Sequence, residues 1–584
     1  MATINATDVI DGSENQKQIN DKTIQVVNTL NDLISVVLRE DGQIVRVLSY
    51  HTPMSGLINP RIGGGLFVWS GTESKSKHDG GYTIDPLITL PDFANFNTYY
   101  NATNTGNGCW VRIDSTSEID AENYGLSQDS TFVWSCAAVN QALYYAASFN
   151  LPRTVKIGTG TFRTTNPIII SKIHAAQGTS VYYRVPKLIG AGRGATEFIK
   201  TTANHVGSGY LTDNIDAVIF VCPKDGDLYG MYDRVEGISV YRYGSVAGTG
   251  YGFYLRANIY GSRNDLRVVG CDKGYFQTDC WMSQVNNILT DNTVSLGIGI
   301  TSGTSVTGRN LYVTNSQGVG IDLSALTYSD LSVHADGCGT GSPDGANAIQ
   351  GSLTHSIRLL ASVENHKGTE FYFTNSRGVV ITGRSYNTAD ISTTVPKIKI
   401  DYESNIKFVG FDWEKTFSNR TQVEAEKYAF LSRISSPNVS FENCTFNDYF
   451  KDFPYKLSDS RLVSEYTSTG YREVDRTIYS KVIFTGTTYK KSAYVGDCGR
   501  FFIEKAICTN PAYDRYFESA VAGYKKTFVS TNASSPTPLS TAYYVDGVLN
   551  TINIWGYIDT NGWLWLRNDV TGGNNLEYQF IIRK

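Results

Sequence analysis

The chain has 584 residues, of which 55 are glycine and 38 are tyrosine, and only 18% are charged. This length exceeds one ordinary compact core, so we expect several domains or an elongated repeat, and the composition favours a β-rich protein with many turns. The net charge of −4 and the lack of a basic run exclude a nucleic-acid-binding surface of the usual kind.

The first residues and the cysteines indicate the cellular compartment in which the protein folds. MATINATDVIDG has no basic n-region and no apolar h-region, and no apolar run reaches the ~20 residues that cross a bilayer, so neither a signal peptide nor membrane insertion is expected. The nine cysteines form no CxxC pair, which argues against a zinc site or a disulfide framework and favours folding in a reducing cytosol. Cys271 and Cys280 flank an apparent strand, where buried thiols are favoured and pairing stays open.

The head of the chain reads as two parts. Residues 1–36 are polar, with a helical-looking piece near residues 18–36. Four stretches punctuated by glycine follow and are typical of short strands. They are DGQIVRVLSYHT, RIGGGLFVWS, DGGYTIDP and GCWVRID. We therefore predict a small β head module over residues 37–118.

The stretch SQDSTFVWSCAAVNQALYYAASFNLPRTVKIGTGTF (127–162) predicts one helix followed by a strand. Asp129 or Ser130 can cap the helix N-terminus, apolar residues then recur at roughly helical spacing, and Pro152 ends the run. A single helix placed directly before a long β region indicates a cap that covers an otherwise exposed apolar end.

Short strands recur from about Val185 onward and predict a β-solenoid, which we place within residues 119–456. Their apolar anchors are Ile238, Leu266, Ile288, Leu311, Leu331, Leu359 and Val379. One strong strand every 20 to 28 residues, with Asn or Gly beside it, suits the coils of a β-solenoid. Leucine-rich repeats share this period, but their fixed L-x-x-L-x-L-x-x-N pattern is absent.

Residues 457–584 have a different sequence pattern, which predicts a separate β-sandwich. Strands lengthen, and TNGW (560–563) reads as the Asn-Gly turn of a hairpin. Trp555, Trp563 and Trp565 fit a core or a sugar-binding surface. Two functions stay open for this domain, namely holding a trimer together and binding carbohydrate.

The head strands and the capping helix followed by TVKIGTGTF resemble the tailspike depolymerases of bacteriophages that attack encapsulated bacteria. The resemblance covers roughly residues 40 to 450. Many of these relatives have a Gly-Asp-Gly turn and a double Asp before the cap helix, whereas NYGLSQDS (123–130) stands here. This difference leaves the implied fold intact and argues against a close relative.

The resemblance implies a fold, an assembly and an activity. The fold is all-β: a right-handed parallel β-helix with a small head module, one capping helix and a C-terminal β-sandwich. The assembly is a homotrimer whose residues 1–36 attach to a phage tail, baseplate or adaptor protein. The activity is endo-acting depolymerisation of a bacterial capsular or O-antigen polysaccharide at the host surface.

Two stretches of the repeat carry an acid at the same place. Laying LSVHADG (331–337) over LLASVEN (359–365) puts Asp336 beside Glu364. Neighbouring coils stack about 4.8 Å apart. If the apolar residues point inward, His334 and Asp336 point outward with Glu364. Counting on from Val379 puts Arg384 in the same outward row.

This row suggests the chemistry of a glycosidase. Glycoside hydrolysis uses two carboxyls, about 5 Å apart for retention and about 6.5–9.5 Å apart for inversion, and adjacent coils allow either. Two close carboxylates also repel, which keeps a proton available for the leaving oxygen. We therefore predict Asp336 and Glu364 as catalytic residues. The predicted substrate-binding residues are His334, Arg384, Tyr386 and Trp413, and neither a cofactor nor a metal is expected, with a surface calcium left open.

Plainer interpretations exist for each of these residues. ADG is a common turn sequence, so in a plainer interpretation Asp336 only stabilises a bend. Likewise, Glu364 and Arg384 would form only a weak ion pair at the surface. A slip of one residue would turn Glu364 inward. Other acids also stay candidates for the catalytic residues. These acids are Asp265, Asp272, Asp279 and Asp291. A further alternative is an active site in a groove between subunits, to which the row would supply only one carboxylate.

Three other functions compete with hydrolysis. A polysaccharide lyase on the same fold would need a base and a charge neutraliser, for which His334 or Tyr386 with Arg384 are candidates. A pure adhesin would bind glycan and cut nothing. An O-acetyl esterase is disfavoured because the sequence has no G-x-S-x-G elbow.

Overall fold

A computed structural model describes most of the chain up to residue 446 and isolated strands beyond it. The described residues are 10–11, 14–15, 24–52, 62–91, 96–113, 117–171, 182–204, 215–223, 229–341, 346–366, 368–387, 397–415, 431–434, 438–442 and 444–446, with strands between 477 and 583. Two compact units divide the chain, residues 1–317 and 318–584.

The head module of the first unit is a five-stranded sheet. In sheet order its strands are Gln25–Val27, Ile44–Ser49, Gly63–Ser74, Asn107–Arg112 and Thr83–Ile84. The first two strands run parallel and the others antiparallel. Arg112 is buried and donates hydrogen bonds to the carbonyl oxygens of Gly63, Gly64 and Gly81, at 3.1, 2.6 and 3.2 Å. These bonds satisfy the guanidinium and tie three segments of the module together.

Two described elements lie near the predicted start of the head module. Gln25–Val27 pairs with the next strand although it precedes residue 37, where we predicted the module to begin. Of the helical piece expected near residues 18–36, the described residues 24–36 contain the helix Leu30–Ile34, opened by Thr29 and Asp32 as a capping box. A pair of two-residue strands, Ile10–Asp11 and Glu14–Asn15, precedes it. A second short helix, Phe96–Asn101, and the 3₁₀ turns Lys75–Lys77 and Ala121–Tyr124 complete this region.

The predicted cap helix is present as Ser135–Ala147. Its small apolar side, including Ala138, Ala142 and Leu143, is fully buried. The predicted N-cap is wrong, because Trp134 holds that position. Asp129 instead forms a turn of its own: its Oδ1 accepts hydrogen bonds from the backbone N–H and the hydroxyl of Thr131, at 2.7 and 2.6 Å.

Two parallel sheets alternate along the solenoid of the first unit. In sheet order the first contains Glu118–Asp120, Thr154–Lys156, Lys187–Ile189, Arg234–Arg242, Ser262–Val269, Gln284–Asp291 and Thr307–Thr314. Thr196–Lys200 also pairs with Arg234–Arg242, and Gly160–Thr164 pairs with Thr196–Lys200. The second contains Ile168–Ile170, Ala217–Val221, Thr249–Ile259, Cys271–Trp281 and Leu296–Thr301. Tyr229–Met231 also pairs with Thr249–Ile259, and Tyr182–Arg184 pairs with Tyr229–Met231. One short 3₁₀ turn, Gly244–Val246, follows Tyr243.

Apolar side chains of successive coils stack inside this solenoid. The predicted anchors are direct neighbours in the strand ladder and are fully buried: Ile238, Leu266, Ile288 and Leu311. Each row removes its apolar surface from water against the coils on either side, which drives this packing. Cys271 and Cys280 are both buried and unpaired, and burial raises the pKa of each thiol to about 12.

The second unit repeats this architecture. In sheet order one sheet contains Asp330–Asp336, Arg358–Glu364, Arg377–Asn387, Asn405–Lys415 and Asn438–Glu442, with Thr445–Phe446 beside Asn405–Lys415. The other contains Val319–Asp322, Ile349–Ser352, Phe371–Thr374, Ile398–Asp401 and Leu431–Ile434. All of these pairings within the unit are parallel.

The C-terminal strands form two antiparallel sheets, as expected for the predicted sandwich. One has the order Thr477–Phe484, Leu576–Arg583, Phe502–Cys508, and the other Lys490–Tyr494, Trp563–Asn568, Val548–Ile558, Thr537–Val545. The strands that flank the predicted Asn-Gly turn pair as a hairpin, with Ile558 opposite Leu564. The side chains of Trp555, Trp563 and Trp565 lie outside the described residues.

The predicted fold class, an all-β chain built on a right-handed parallel β-helix, is confirmed. The homotrimer and the predicted domain boundaries stay predictions. None of the described helices has the length and apolar character to cross a membrane.

A pair of adjacent leucines tests the stacking of the coils. Leu359 is 1% exposed and lies between the buried Leu331 and Ile381 of the neighbouring strands, whereas Leu360 is 56% exposed. We expect Leu359→Ala to lower the free energy of unfolding by about 2–5 kcal/mol, through lost apolar burial and the cavity left behind. Leu360→Ala should stay within about 0.5 kcal/mol of the wild type. Denaturant unfolding of both variants measures this, and equal losses would contradict the inward assignment of Leu359.

Candidate active site

The two strands that carry the predicted acids are paired in the predicted register. Leu331 lies opposite Leu359, and Asp336 lies opposite Glu364. Every second residue is buried, including Ala335 and its neighbour in the next strand, while the residues between them are half-buried or, like Leu360, exposed. Burial of the alternate residues therefore directs Asp336 and Glu364 to the same outer face.

The pairing of the third strand, Arg377–Asn387, differs from the predicted register. Leu359 pairs with Ile381 rather than Val379, so Glu364 lies opposite Tyr386 and Arg384 lies opposite Ser362. Arg384 therefore does not share a row with the two acids. Val379 and Ile381 are both fully buried. A shift of two residues preserves the alternation of a strand, so the apolar pattern alone does not distinguish the two registers.

Two outward rows run side by side across these coils. One contains Asp336, Glu364 and Tyr386, and the other contains His334, Ser362, Arg384 and Asp412. The structure thus brings His334, Asp336, Glu364, Arg384 and Tyr386 onto one surface, with the assignment to rows changed. Arg384 is exposed, and the other four side chains are half-buried.

His334 is a titratable neighbour of the acid row. Its Nε2 lies 3.9 Å from Oε1 of Glu364. Burial lowers the pKa of His334 below its ordinary value. The carboxylates of Glu364 and Asp336 act in the opposite direction, and the positive charge of Arg384 adds to the lowering. The neutral imidazole is therefore the favoured form at neutral pH.

The coil corner holds the carboxylate of Asp336. Asn365, at a left-handed φ of 49°, donates a hydrogen bond from Nδ2 to Oδ1 of Asp336 over 3.1 Å. The backbone N–H of Gly337 donates to the carbonyl oxygen of Glu364 over 3.0 Å. Asp336 therefore ends its strand at a turn, as the ADG pattern indicates, while its side chain is fixed by the following coil.

Asp412 is a residue of this surface that the sequence did not reveal. It lies opposite Arg384, and its Oδ1 is buried without a hydrogen-bond partner among the described residues. A bulge precedes it, where Val409 and Gly410 together face one residue of the neighbouring strand. The only sequence signal for Asp412 is the acid in GFDWEK. Because of the bulge, the sequence does not show which residue of the neighbouring strand lies opposite this acid.

Trp413 lies at a different place in the ladder from the other predicted site residues. Its backbone is opposite Ser385, in the row of the buried Val363 and Ala335. The Trp413 side chain is outside the described residues. Its predicted role in substrate binding stays a prediction.

Three of the four alternative acids have structural partners in the first unit. Asp265 forms an ion pair with Arg193, with its Oδ1 3.3 Å from Nε, and Oδ1 of Asp291 accepts a hydrogen bond from Asn315 Nδ2 over 3.1 Å. Asp279 accepts one from Trp281 Nε1 over 3.1 Å. These contacts fit the structural roles considered for them. Within the part of the chain that the structure describes, no group of three or more His, Cys, Asp or Glu side chains has the arrangement of a metal site.

The head module matches a family of phage tail proteins. Residues 26–116 match the family model of the phage tail protein small four-stranded β-sheet domain. This range contains the four strands between Ile44 and Arg112 and most of Gln25–Val27. No curated protein sequence matches the chain.

The fold is that of phage tailspikes. The gp42 tailspike of Acinetobacter phage vb_AbaP_AS12 is 15% identical to this chain, with a TM-score of 0.58 and 94% of each chain covered. At this identity the likeness establishes the fold. Together with the head module, it confirms the resemblance predicted from the sequence.

Other tailspikes are similar at lower scores. The tailspike of Acinetobacter baumannii phage AM24 is 11% identical with a TM-score of 0.42, covering 100% of this chain and 97% of that one. The enzymatically active domain of tailspike protein 2 of bacteriophage CBA120 is 12% identical with a TM-score of 0.42, covering 97% and 90%.

The titration of His334 tests the electrostatics of this surface. The acid row stabilises the protonated imidazole, so Glu364→Gln should lower the pKa of His334 further, and Arg384→Gln should raise it. NMR titration of the imidazole resonances measures both shifts, with His334→Gln identifying the signal. An unchanged pKa in Glu364→Gln would contradict the contact between the two side chains.

Proposed function

We propose that this chain is a phage tailspike that binds and depolymerises a bacterial capsular or O-antigen polysaccharide by endo-glycosidic hydrolysis. The observation that carries the proposal is the pairing of Asp336 with Glu364 on the outer face of adjacent coils. The tailspike fold and the phage tail head domain support the biological setting.

The geometry suits a hydrolysis that uses two carboxyls. Backbones of adjacent coils are about 4.8 Å apart, so their side chains reach across one glycosidic bond. Asn365 donates a hydrogen bond to Asp336, which suits an ionised carboxylate as acceptor. We therefore assign Asp336 as the nucleophile or base and Glu364 as the proton donor to the leaving oxygen.

Neighbouring residues would hold the sugar on either side of the bond. Tyr386 follows Glu364 in the acid row and offers an aromatic face, while exposed Arg384 offers a planar set of donors. His334 lies beside the pair and, when neutral, can accept as well as donate. Trp413 completes the proposed substrate-binding set.

A lyase is the second candidate, favoured by one observation. His334 and Arg384 share a row beside the acids, which brings a neutral imidazole base and a cation for a uronic acid carboxylate onto the same surface. Elimination would remove the proton from C5 beside that carboxylate, break the bond from C4 to the glycosidic oxygen, which leaves with a proton, and form a C4–C5 double bond at the new end.

The same proposal covers assembly and location. The chain would form a homotrimer on the phage tail, with residues 1–36 attached to a tail, baseplate or adaptor protein. It would be made in the bacterial cytoplasm and act at the surface of the next host cell. The C-terminal sheets would serve trimerisation, carbohydrate binding or both.

Depolymerisation of purified capsular polysaccharide tests the assignment. We expect short saturated products from the wild type, and a loss of at least about 100-fold in Asp336→Asn and in Glu364→Gln, because each removes one of two groups needed in the transition state. Chain length by size-exclusion chromatography and product ends by mass spectrometry measure this. Asp330→Asn, the same substitution at the start of the Asp336 strand, is the matched control and should retain activity.

Each other outcome has a definite meaning. Products with a new absorbance in the short-wavelength ultraviolet, from a double bond conjugated with the carboxylate, would indicate unsaturated ends and a lyase. Binding without cleavage by the wild type would indicate an adhesin. Full activity in either folded variant would remove that residue from the mechanism.

A further inference from the structure

A pair of stacked tyrosines stands on the solenoid of the first unit. Tyr241 lies near the end of Arg234–Arg242, and Tyr243 follows that strand directly. Their ring centroids are 5.5 Å apart and their planes are 23° from parallel. Tyr241 is only 6% exposed, whereas Tyr243 is 53% exposed. Tyr241 therefore supports one face of Tyr243, whose ring remains accessible to solvent.

Hydrogen bonds fix the inner ring of this pair. The Tyr241 hydroxyl donates to Oε1 of Glu197 over 2.9 Å. The Thr161 hydroxyl donates to Oε2 of the same carboxylate over 3.1 Å. Three strands of neighbouring coils thus hold the inner tyrosine in place, which reduces the entropy lost when a ligand binds the outer one.

Polar groups border the stack. Ser239 lies opposite Glu197 on one side and Arg267 on the other, so all three belong to one row of the ladder. The guanidinium carbon of Arg267 is 5.8 Å from the centre of the Tyr241 ring. The Nε of Arg267 is buried and has no hydrogen-bond partner among the described residues. A buried donor of this kind costs free energy unless a ligand oxygen accepts from it.

We propose that Tyr243, Arg267 and Glu197 form a second saccharide-binding site, in the first unit and separate from the paired acids. A pyranose ring presents an apolar C–H face and a rim of hydroxyls. The face would lie on Tyr243, and the hydroxyls would accept from Arg267 and donate to Glu197. The inference rests on the proposed function for its ligand, the polysaccharide that the chain depolymerises.

The site would hold the polymer at a second place on the chain, in addition to the point of cleavage. A long chain that binds at two places on one protein dissociates more slowly than one held at a single place, because the second contact is intramolecular. This gives the tyrosine stack a role that does not involve bond cleavage. It also separates the effect of the stack on binding from that of the acids on chemistry.

Equilibrium binding of purified capsular polysaccharide tests the site. The full chain carrying Asp336→Asn and Glu364→Gln serves as the parent, so that the ligand stays intact. We expect a further Tyr243→Ala to weaken binding about fivefold to tenfold, and Tyr243→Phe, which keeps the ring, to stay within about twofold of the parent. Tyr328→Ala removes a tyrosine that is 72% exposed in the second unit and should leave binding unchanged.

The molar mass of each variant in light scattering distinguishes a binding site from an interface between copies of the chain. A lower mass in Tyr243→Ala would assign the stack to assembly and overturn the proposal. Unchanged affinity in Tyr243→Ala, equal losses in the Phe and Ala variants, or a parent that binds no polysaccharide would also overturn it. If the wild type binds without cutting but Tyr243→Ala still weakens binding, the hydrolase proposal fails and this site stands.

Discussion

The alignment of buried side chains between successive coils is the constraint on which the rest of the structure depends. In the first unit Ile238 and Leu266 meet inside the solenoid, and in the second Leu331 meets Leu359. Each such contact removes apolar surface from water, at roughly 25 cal/mol per Å². A slip of one residue would expose every member of a row, so the inward residues determine which side chains face outward.

The outward chemistry follows from this constraint. Asp336 and Glu364 are brought together because their neighbours, Ala335 and Val363, are buried side by side. The two acids need no direct attraction, and their mutual repulsion is opposed by the packing of whole strands. A scaffold of this kind holds charged groups in an arrangement that they would not adopt in water, which is the basis of preorganised electrostatics in enzymes.

Much of this arrangement could be predicted from the sequence because apolar alternation carries it. The cap helix, the anchors from Ile238 to Leu311 and the pairing of Asp336 with Glu364 all follow from periodicity and spacing. Arg384 was assigned to the wrong row because alternation is unchanged by a shift of two residues. Asp412 was missed because a bulge has no reliable signature in a single sequence.

The bulge at Val409 and Gly410 has a consequence for how such a surface can diversify. One strand accommodates an additional residue, yet Phe411 returns to the buried row and the ladder continues. Single-residue insertions can therefore be absorbed within a coil, while the residues beyond them shift relative to the neighbouring strand. Changes of length, as well as substitutions, are thus a route by which chains with this fold can acquire new surfaces on an unchanged interior.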